Sequence, residues 1–128
     1  MVERVMYEQL KEMLIGPFAS VSYLQAVSGD GFPRLVVWQV DDPSSKTVLS
    51  AYGGQARVQC DVWSQDRFAL PTLRAAVRDA VREIRGVFGS IRIVGCQVTN
   101  DFTRALNDEE LYSGVVDVIV HWEDYNGS

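Results

Sequence analysis

His121 is the chain's sole histidine, so any serine or cysteine nucleophile that needs an imidazole base must recruit it. It sits near the end of an alternating apolar run, on the face opposite Val120 and Trp122, with no nucleophile motif around it. That setting predicts a packed or solvent-facing ring rather than a base. Asp41-Asp42 and Asp108-Glu109-Glu110 are rich in oxygen but lack the spaced ligands and the glycine of a calcium loop, and they read as solvated turns. Cys60 and Cys96 lie far apart with no Cys-x-x-Cys near either, so zinc and redox patterns have no support. Both fall on strand positions, which predicts buried free thiols. Neither a Gly-x-x-x-x-Gly-Lys-Ser/Thr nor a Gly-x-Gly-x-x-Gly run is present to cradle phosphate, and Gly29-Asp30-Gly31 reads as hairpin punctuation. Carboxylate pairs for glycoside chemistry are told by separation in space, not along the chain. The sequence therefore assigns no catalytic, cofactor-binding or metal-ligating residue, and the expectation is a protein that is not an enzyme.

A different pattern lies in the arginines. At about 100° per residue, Arg67, Arg74, Arg78, Arg82 and Arg85 fall within an arc of about 80° on a helix running from Arg67 to Arg85. Asp79 and Glu83 lie outside that arc, although Asp79 is within reach of Arg82. One reading is a solvated edge whose alkyl stems cover the core margin. The other is a contact in which these guanidiniums meet carboxylates of a neighbouring subunit, such as Asp108, Glu109 or Glu110. In a ring, one surface fits a different surface of the next copy, and opposed charges give that contact direction.

The elements that position these groups follow from two hydrophobic periods that meet at one corner. Ala56, Val58, Cys60 and Val62 recur every second residue, as on one face of a strand. Leu70, Leu73, Val77, Val81 and Ile84 then recur every three or four, as on one stripe of a helix. Each apolar face must be buried against the other or a shared core, so strand and helix form the expected centre. Upstream, Val2, Met6, Leu10, Met13 and Leu14 mark a first helix from Val2 to Ile15, ended by Gly16-Pro17. A short strand is expected between Phe18 and Val27, a turn at Ser28-Gly29-Asp30-Gly31, and a strand from Leu35 to Val40 opened by Pro33. Val48 to Tyr52 reads as a short strand, and Gly53-Gly54 as a bend or bulge. Gly86 and Gly89 bracket the end of the second helix. A strand begins at Ile91 and continues toward Thr99 across a weak point at Gly95. The last strand spans Tyr112 to Trp122, and 123–128 is expected to be a frayed polar tail.

Turns between several strands are too short for helical crossovers, which predicts a mostly antiparallel sheet. The expected fold class is α+β: four to five strands with two helices packed on one face, in a single domain over 1–128. On the sheet's other face, Arg57, Gln59, Asp61, Trp63, Val115, Asp117, Ile119 and His121 alternate away from the helices. Trp63, Val115 and Ile119 would be costly to leave in water at ~25 cal/mol per Å² of apolar area, so a covering loop or a subunit contact is expected there.

The totals fit this picture. A length of 128 residues suits one domain that buries roughly two-thirds of its extended surface. A hydrophobic content of 47% is too high for disorder. No apolar run approaches the ~20 residues of a membrane span. Met1-Val2-Glu3-Arg4 lacks the basic start and apolar stretch of a signal peptide, so cytoplasm is the expected compartment. A net charge of -5 argues against tight general binding to nucleic acid, whose phosphates an acidic surface repels.

The order of these features resembles the tail-completion, or tail-terminator, proteins of long-tailed bacteriophages and their prophage relatives. The likeness spans most of the chain. It rests on the amphipathic first helix, then Pro33-Arg34-Leu35-Val36-Val37-Trp38-Gln39, then a glycine-rich bend. There follow an Arg-x-Gln-x-Asp-x-Trp strand at Arg57, Gln59, Asp61 and Trp63, the Leu73-Arg74-Ala75-Ala76-Val77-Arg78 helix, and a closing His121-Trp122. Pro71 departs from the family's plain helix former, and is harmless where the helix begins within about four residues before it. The resemblance implies a non-enzymatic structural protein of the virion tail, in its neck region, assembled in the bacterial host cytoplasm. It implies a homo-oligomeric ring of six subunits on the head-proximal end of the tail tube. That ring would end tube growth, dock the head connector and let DNA pass through without specific binding. No cofactor and no membrane is implied. The alternatives are another neck or tail component on the same fold, or a small soluble ligand-binding or enzymatic α+β domain.

Overall fold

The structure, a computed structural model, describes residues 2–23, 31–40, 48–50, 53–104 and 111–125. Its elements follow one another as α1 (Val2–Met13), β1 (Ser20–Tyr23), β2 (Arg34–Gln39), β3 (Val48–Ser50), β4 (Gly53–Ser64), α2 (Leu70–Glu83), β5 (Gly86–Phe88), β6 (Ile91–Thr103) and β7 (Tyr112–Asp124). All the strands join one sheet in the order β1-β2-β4-β7-β6-β5, with β3 paired to β4 beside β2. The class is α+β as expected. The sheet is larger and less uniform than the predicted four or five antiparallel strands, because six strands form its main path and β1 runs parallel to β2. The short-turn argument fails at β1. β1 and β2 are parallel neighbours, which a hairpin does not make, and the expected turn from Ser28 to Asp30 lies outside the described residues. Ala19 N–H donates to the Pro33 carbonyl at 2.8 Å, which pins the start of β1 beside that of β2.

The periodicities locate the core. Val58 lies opposite Val118, Cys60 opposite Val116 and Ala56 opposite Val120 across the β4–β7 ladder, and Leu35 and Val37 extend that face onto β2. Met6 and Leu10 from α1 and Leu73, Val77 and Val81 from α2 complete one buried cluster with them, so both helices cover the same face. Val5 belongs to the buried stripe of α1, whereas Met13 is exposed. The helix already ends there, with Leu14 N–H donating to Leu10 carbonyl before Gly16-Pro17.

The second helix is shorter than the predicted span from Arg67 to Arg85. Pro71 fits only where its missing N–H has no intrahelical duty, which places it in the first turn and the helix start at Leu70. Ahead of it, Asp66 accepts the Phe68 N–H at 2.9 Å in a tight local turn. At the other end Ile84 is extended and Gly86 has φ +123°, a backbone geometry that suits glycine. Gly86 and Gly89 therefore do more than end the helix. Gly86–Phe88 is a strand, turned into β6 through Gly89-Ser90 with Gly89 at φ +64°.

Two further boundaries differ. Gly53 and Gly54 lie inside β4, where the register with β3 shifts opposite them, so of the expected bend or bulge the structure shows an irregular ladder and no bend before the strand; a side chain at Gly53 would stand 2.7 Å from the Trp122 carbonyl. The chain end is ordered beyond the expected fraying point at Glu123. β7 continues through Asp124, Arg92 pairs with Glu123 at 3.3 Å, and Tyr125 N–H donates to Ser90 at 2.8 Å. Residues 126–128 lie outside the described residues.

Candidate functional site

The arginine flank divides once its surroundings are drawn. Arg74, Arg78 and Arg82 lie on α2, while Arg67 precedes it and Arg85 follows it, so the five do not share one helical arc. Arg74 donates to Asp101 Oδ1 at 2.8 Å, and Arg78 donates to the other carboxylate oxygen of Asp101. For these two residues the carboxylate at hand belongs to β6 of the same chain. Arg67, Arg82 and Arg85 are exposed. The Arg67 guanidinium stacks on the exposed ring of Phe68, 4.9 Å from its centroid. Asp108, Glu109 and Glu110 lie outside the described residues.

Asp101 reaches α2 because of a bulge. Val98 faces the helices opposite Val118, and strict alternation would turn Asn100 inward and Asp101 outward. The register shift between Val98 and Asn100 inserts one residue, and Asp101 instead lies opposite Val116 on the helix face. Room for Arg74 comes from Gly114 on β7, where a Cβ would stand 2.6 Å from Arg74 Cδ. Alternation alone did not reveal Asp101, because it assigns that position to the outward face. Beside this bridge, Arg78, Arg82, Val98, Thr99, Asn100 and Asp101 line an open groove of about 490 Å³.

The reverse face of the sheet carries the second polar group. Asp61 accepts from Trp38 Nε1 at 3.0 Å and from Gln59 Nε2 at 2.8 Å, and Arg104 stands 3.6 Å away. Asp117 pairs with Arg57 at 3.5 Å. Both aspartates are buried, at 9% and 4% exposure, although the alternation predicted an outward-facing row. The Arg-x-Gln-x-Asp-x-Trp strand is thus half of a network that Trp38 of β2, Asp117 of β7 and Arg104, just past β6, complete. Of the expected apolar patch, Val115 is only 1% exposed, so it adds nothing to a contact surface, whereas Trp63 and Ile119 are half-buried. Phe102, exposed beside Val115 in the β6–β7 register, was missed because the bulge changes its face.

The remaining chemistry-bearing residues are the two cysteines and His121. Cys60 and Cys96 are free thiols; burial pushes the Cys60 pKa upward and raises that of Cys96 to about 11. Cys96 donates to the Ile84 carbonyl at 3.6 Å, tying β6 to the end of α2. His121 lies between Gln55 and Gly95 on the reverse face. Among the described residues no group of three or more His, Cys, Asp and Glu side chains is placed to hold a metal ion, and no helix is long and apolar enough to cross a membrane.

The arrangement combines a charged groove, exposed arginines and a sheet with a polar, partly aromatic reverse face. Similar proteins share this fold. A chain of the virion of a native gene transfer agent particle superposes with a TM-score of 0.67 at 18% identity, covering 92% of this chain and 91% of that one. A second solved chain, 9% identical, gives a TM-score of 0.63 over 98% of this chain and 95% of its own. No curated protein matches the chain. The family model described as tail completion protein gp17 matches residues 8–122. That span runs from the middle of α1 almost to the end of β7 and includes both polar networks, and on it the chain belongs to the tail completion protein gp17 family and is a phage tail structural protein.

Proposed function

We propose that this protein is a tail terminator, a ring-forming subunit that caps the head-proximal end of the tail tube and acts without catalysis. The ring has six subunits, ends tube growth, presents the docking surface for the head connector and leaves an opening for DNA. It is assembled in the host cytoplasm and resides in the neck region of the virion. The observation that carries this reading is the family match over residues 8–122. The virion origin of the similar gene transfer agent chain supports a tail or neck location. The net charge of -5 supports a conduit, because a wall that gripped phosphates would impede the moving polyanion.

Subunit contact in this ring draws on Arg67, Arg82 and Arg85 and on the acidic Asp108, Glu109 and Glu110, with Arg78 shared between Asp101 and the neighbour. Trp63 and Ile119 supply apolar contact from the reverse face. The test is tail length. Particles assembled without this protein are expected to carry overlong, headless tails, and adding it back restores a defined length. Tails of normal length joined to heads in its absence would remove the reading.

A further inference from the structure

Among the described residues, each of the two edges of the sheet has a stretch that no further strand pairs. β5 covers only Ile91 to Ile93 of β6, so among the described residues no strand pairs with the outer edge of β6 from Gly95 to Thr103. That edge carries two exposed apolar side chains, Val94 at 57% and Phe102 at 41%. At the opposite end of the sheet, β1 also lacks an outer strand among the described residues. Unpaired strand edges are templates for another chain unless they are blocked.

We infer that copies of this chain join by pairing the β6 edge of one subunit with the β1 edge of the next, which continues the sheet around the ring. The inference rests on the ring reading above and specifies its contact. Direction supports it. β1 runs parallel to β2, and β2, β4, β7 and β6 alternate, so β6 runs opposite to β1. A rotation about an axis along the strands keeps these directions, and the new pair is antiparallel, the more favourable kind. Register supports it too. Tyr23 is level with Val37, Cys60, Val116 and Asp101 across the sheet, and Ser20 is level with Arg34, Trp63, Ser113 and Arg104. Pairing these levels sets 20–23 of one copy against 104–101 of the other, with matching faces. Charge completes the argument. Glu3 of α1 lies near enough to Tyr23 to raise its pKa, and Arg78 and Arg82 flank Asp101 on the same side of the sheet. The joint brings an acidic helix start to a basic helix flank, and gives the contact one direction.

Hydrogen exchange on rings and on dilute monomer tests this with the unaltered chain. In rings seen by electron microscopy, the amides of 20–23 and 101–104 that point away from their own sheet should slow by about tenfold or more. Rings in which those amides exchange as in the monomer overturn the inference and leave the ring reading standing. Protection that arrives only on adding tail tube also overturns it, since the edge then takes a strand of the tube. Absence of rings, with or without tubes, overturns the ring reading itself. A second measurement uses paired cysteines. The Val21→Cys, Thr103→Cys double variant should give a ladder of disulfide-linked subunits when rings are oxidised, because facing residues of an antiparallel pair bring their Cβ atoms to about 4.5–5.5 Å. Each single variant should not, and rings of the double variant without a ladder count against the pairing.

Discussion

The two faces of the sheet solve opposite problems with the same strands. On the helix side, alternating valines meet two apolar stripes, and the one strongly polar crossing, Arg74 and Arg78 on Asp101, lies where a bulge turns an aspartate inward. On the reverse side Asp61 and Asp117 are buried with no helix above them among the described residues, held by Arg57, Arg104, Gln59 and Trp38. The difference teaches that a polar, alternating row in a strand does not by itself mean a wet face. Apolar burial fixes where the helices sit, and charge pairing organises what they leave uncovered.

The most severe break of this comparison is on the dry side. Leu35 is fully buried between β2 and the helices, and Leu35→Ala is expected to lower unfolding free energy by about 2–5 kcal/mol through lost transfer and a residual cavity. Urea unfolding followed by tryptophan fluorescence measures it; a loss below 1 kcal/mol, taken as roughly the floor for such sites, would show that the core closes over the gap. The reverse side comes next. Asp61→Asn keeps the side chain's shape but sets an amide donor among the donors of Trp38, Gln59 and Arg104. A loss of about 1.5–3 kcal/mol is expected, as for hydrogen bonds to a charged group. If the variant unfolds at the wild-type urea midpoint, the reverse-side network is solvated and the contrast between faces collapses.

Within the arginine flank a smaller pair of effects separates folding from assembly. Arg78→Glu puts a carboxylate beside Asp101 and is expected to destabilise the monomer by about 1–2 kcal/mol, because a half-buried ion pair becomes a like-charge contact. Arg82→Glu, on the exposed flank, should stay within about 0.5 kcal/mol of wild type and still weaken ring formation, increasingly so at low salt. Equal destabilisation by both would mean that Arg82 also belongs to the intramolecular bridge.

Much of this was legible in the residues. The period-two run from Ala56 to Val62 and the three-four spacing from Leu70 to Ile84 located the central strand and helix, and the valines of Tyr112 to Trp122 their partner. What stayed hidden depended on registers that propensity does not encode. Thr99 as an extra residue exchanges the faces of Asp101 and Phe102, and no local composition distinguishes that bulge from regular alternation. The parallel β1 was misread because a glycine-rich turn resembles a hairpin whatever direction the chain leaves it. β5 was readable: Gly89-Ser90 between apolar residues is a two-residue hairpin signal, obscured by treating both glycines as helix punctuation.

The smallest effect distinguishes the faces by their protons. Cys60 and Cys96 both lie on the helix side, and burial raises the Cys96 pKa from 9.0 to about 11 and moves Cys60 upward as well. A thiol whose pKa is higher folded than unfolded stabilises the fold fully below its unfolded pKa. Between that value and the folded one the unfolded chain sheds a proton that the folded chain keeps, so the slope of stability against pH is negative. The urea midpoint should therefore fall as pH rises from 9.0 toward 11. Tyr23, also raised by burial and by Glu3, adds to the fall at the upper end. Cys96→Ala should flatten the part of the slope that begins near 9.0, and wild-type Cys96 should alkylate slowly with iodoacetamide until pH approaches 11. Rapid alkylation near neutral pH would place this thiol in water, and with it the seam between β6 and the end of α2 that separates the dry face from the solvent.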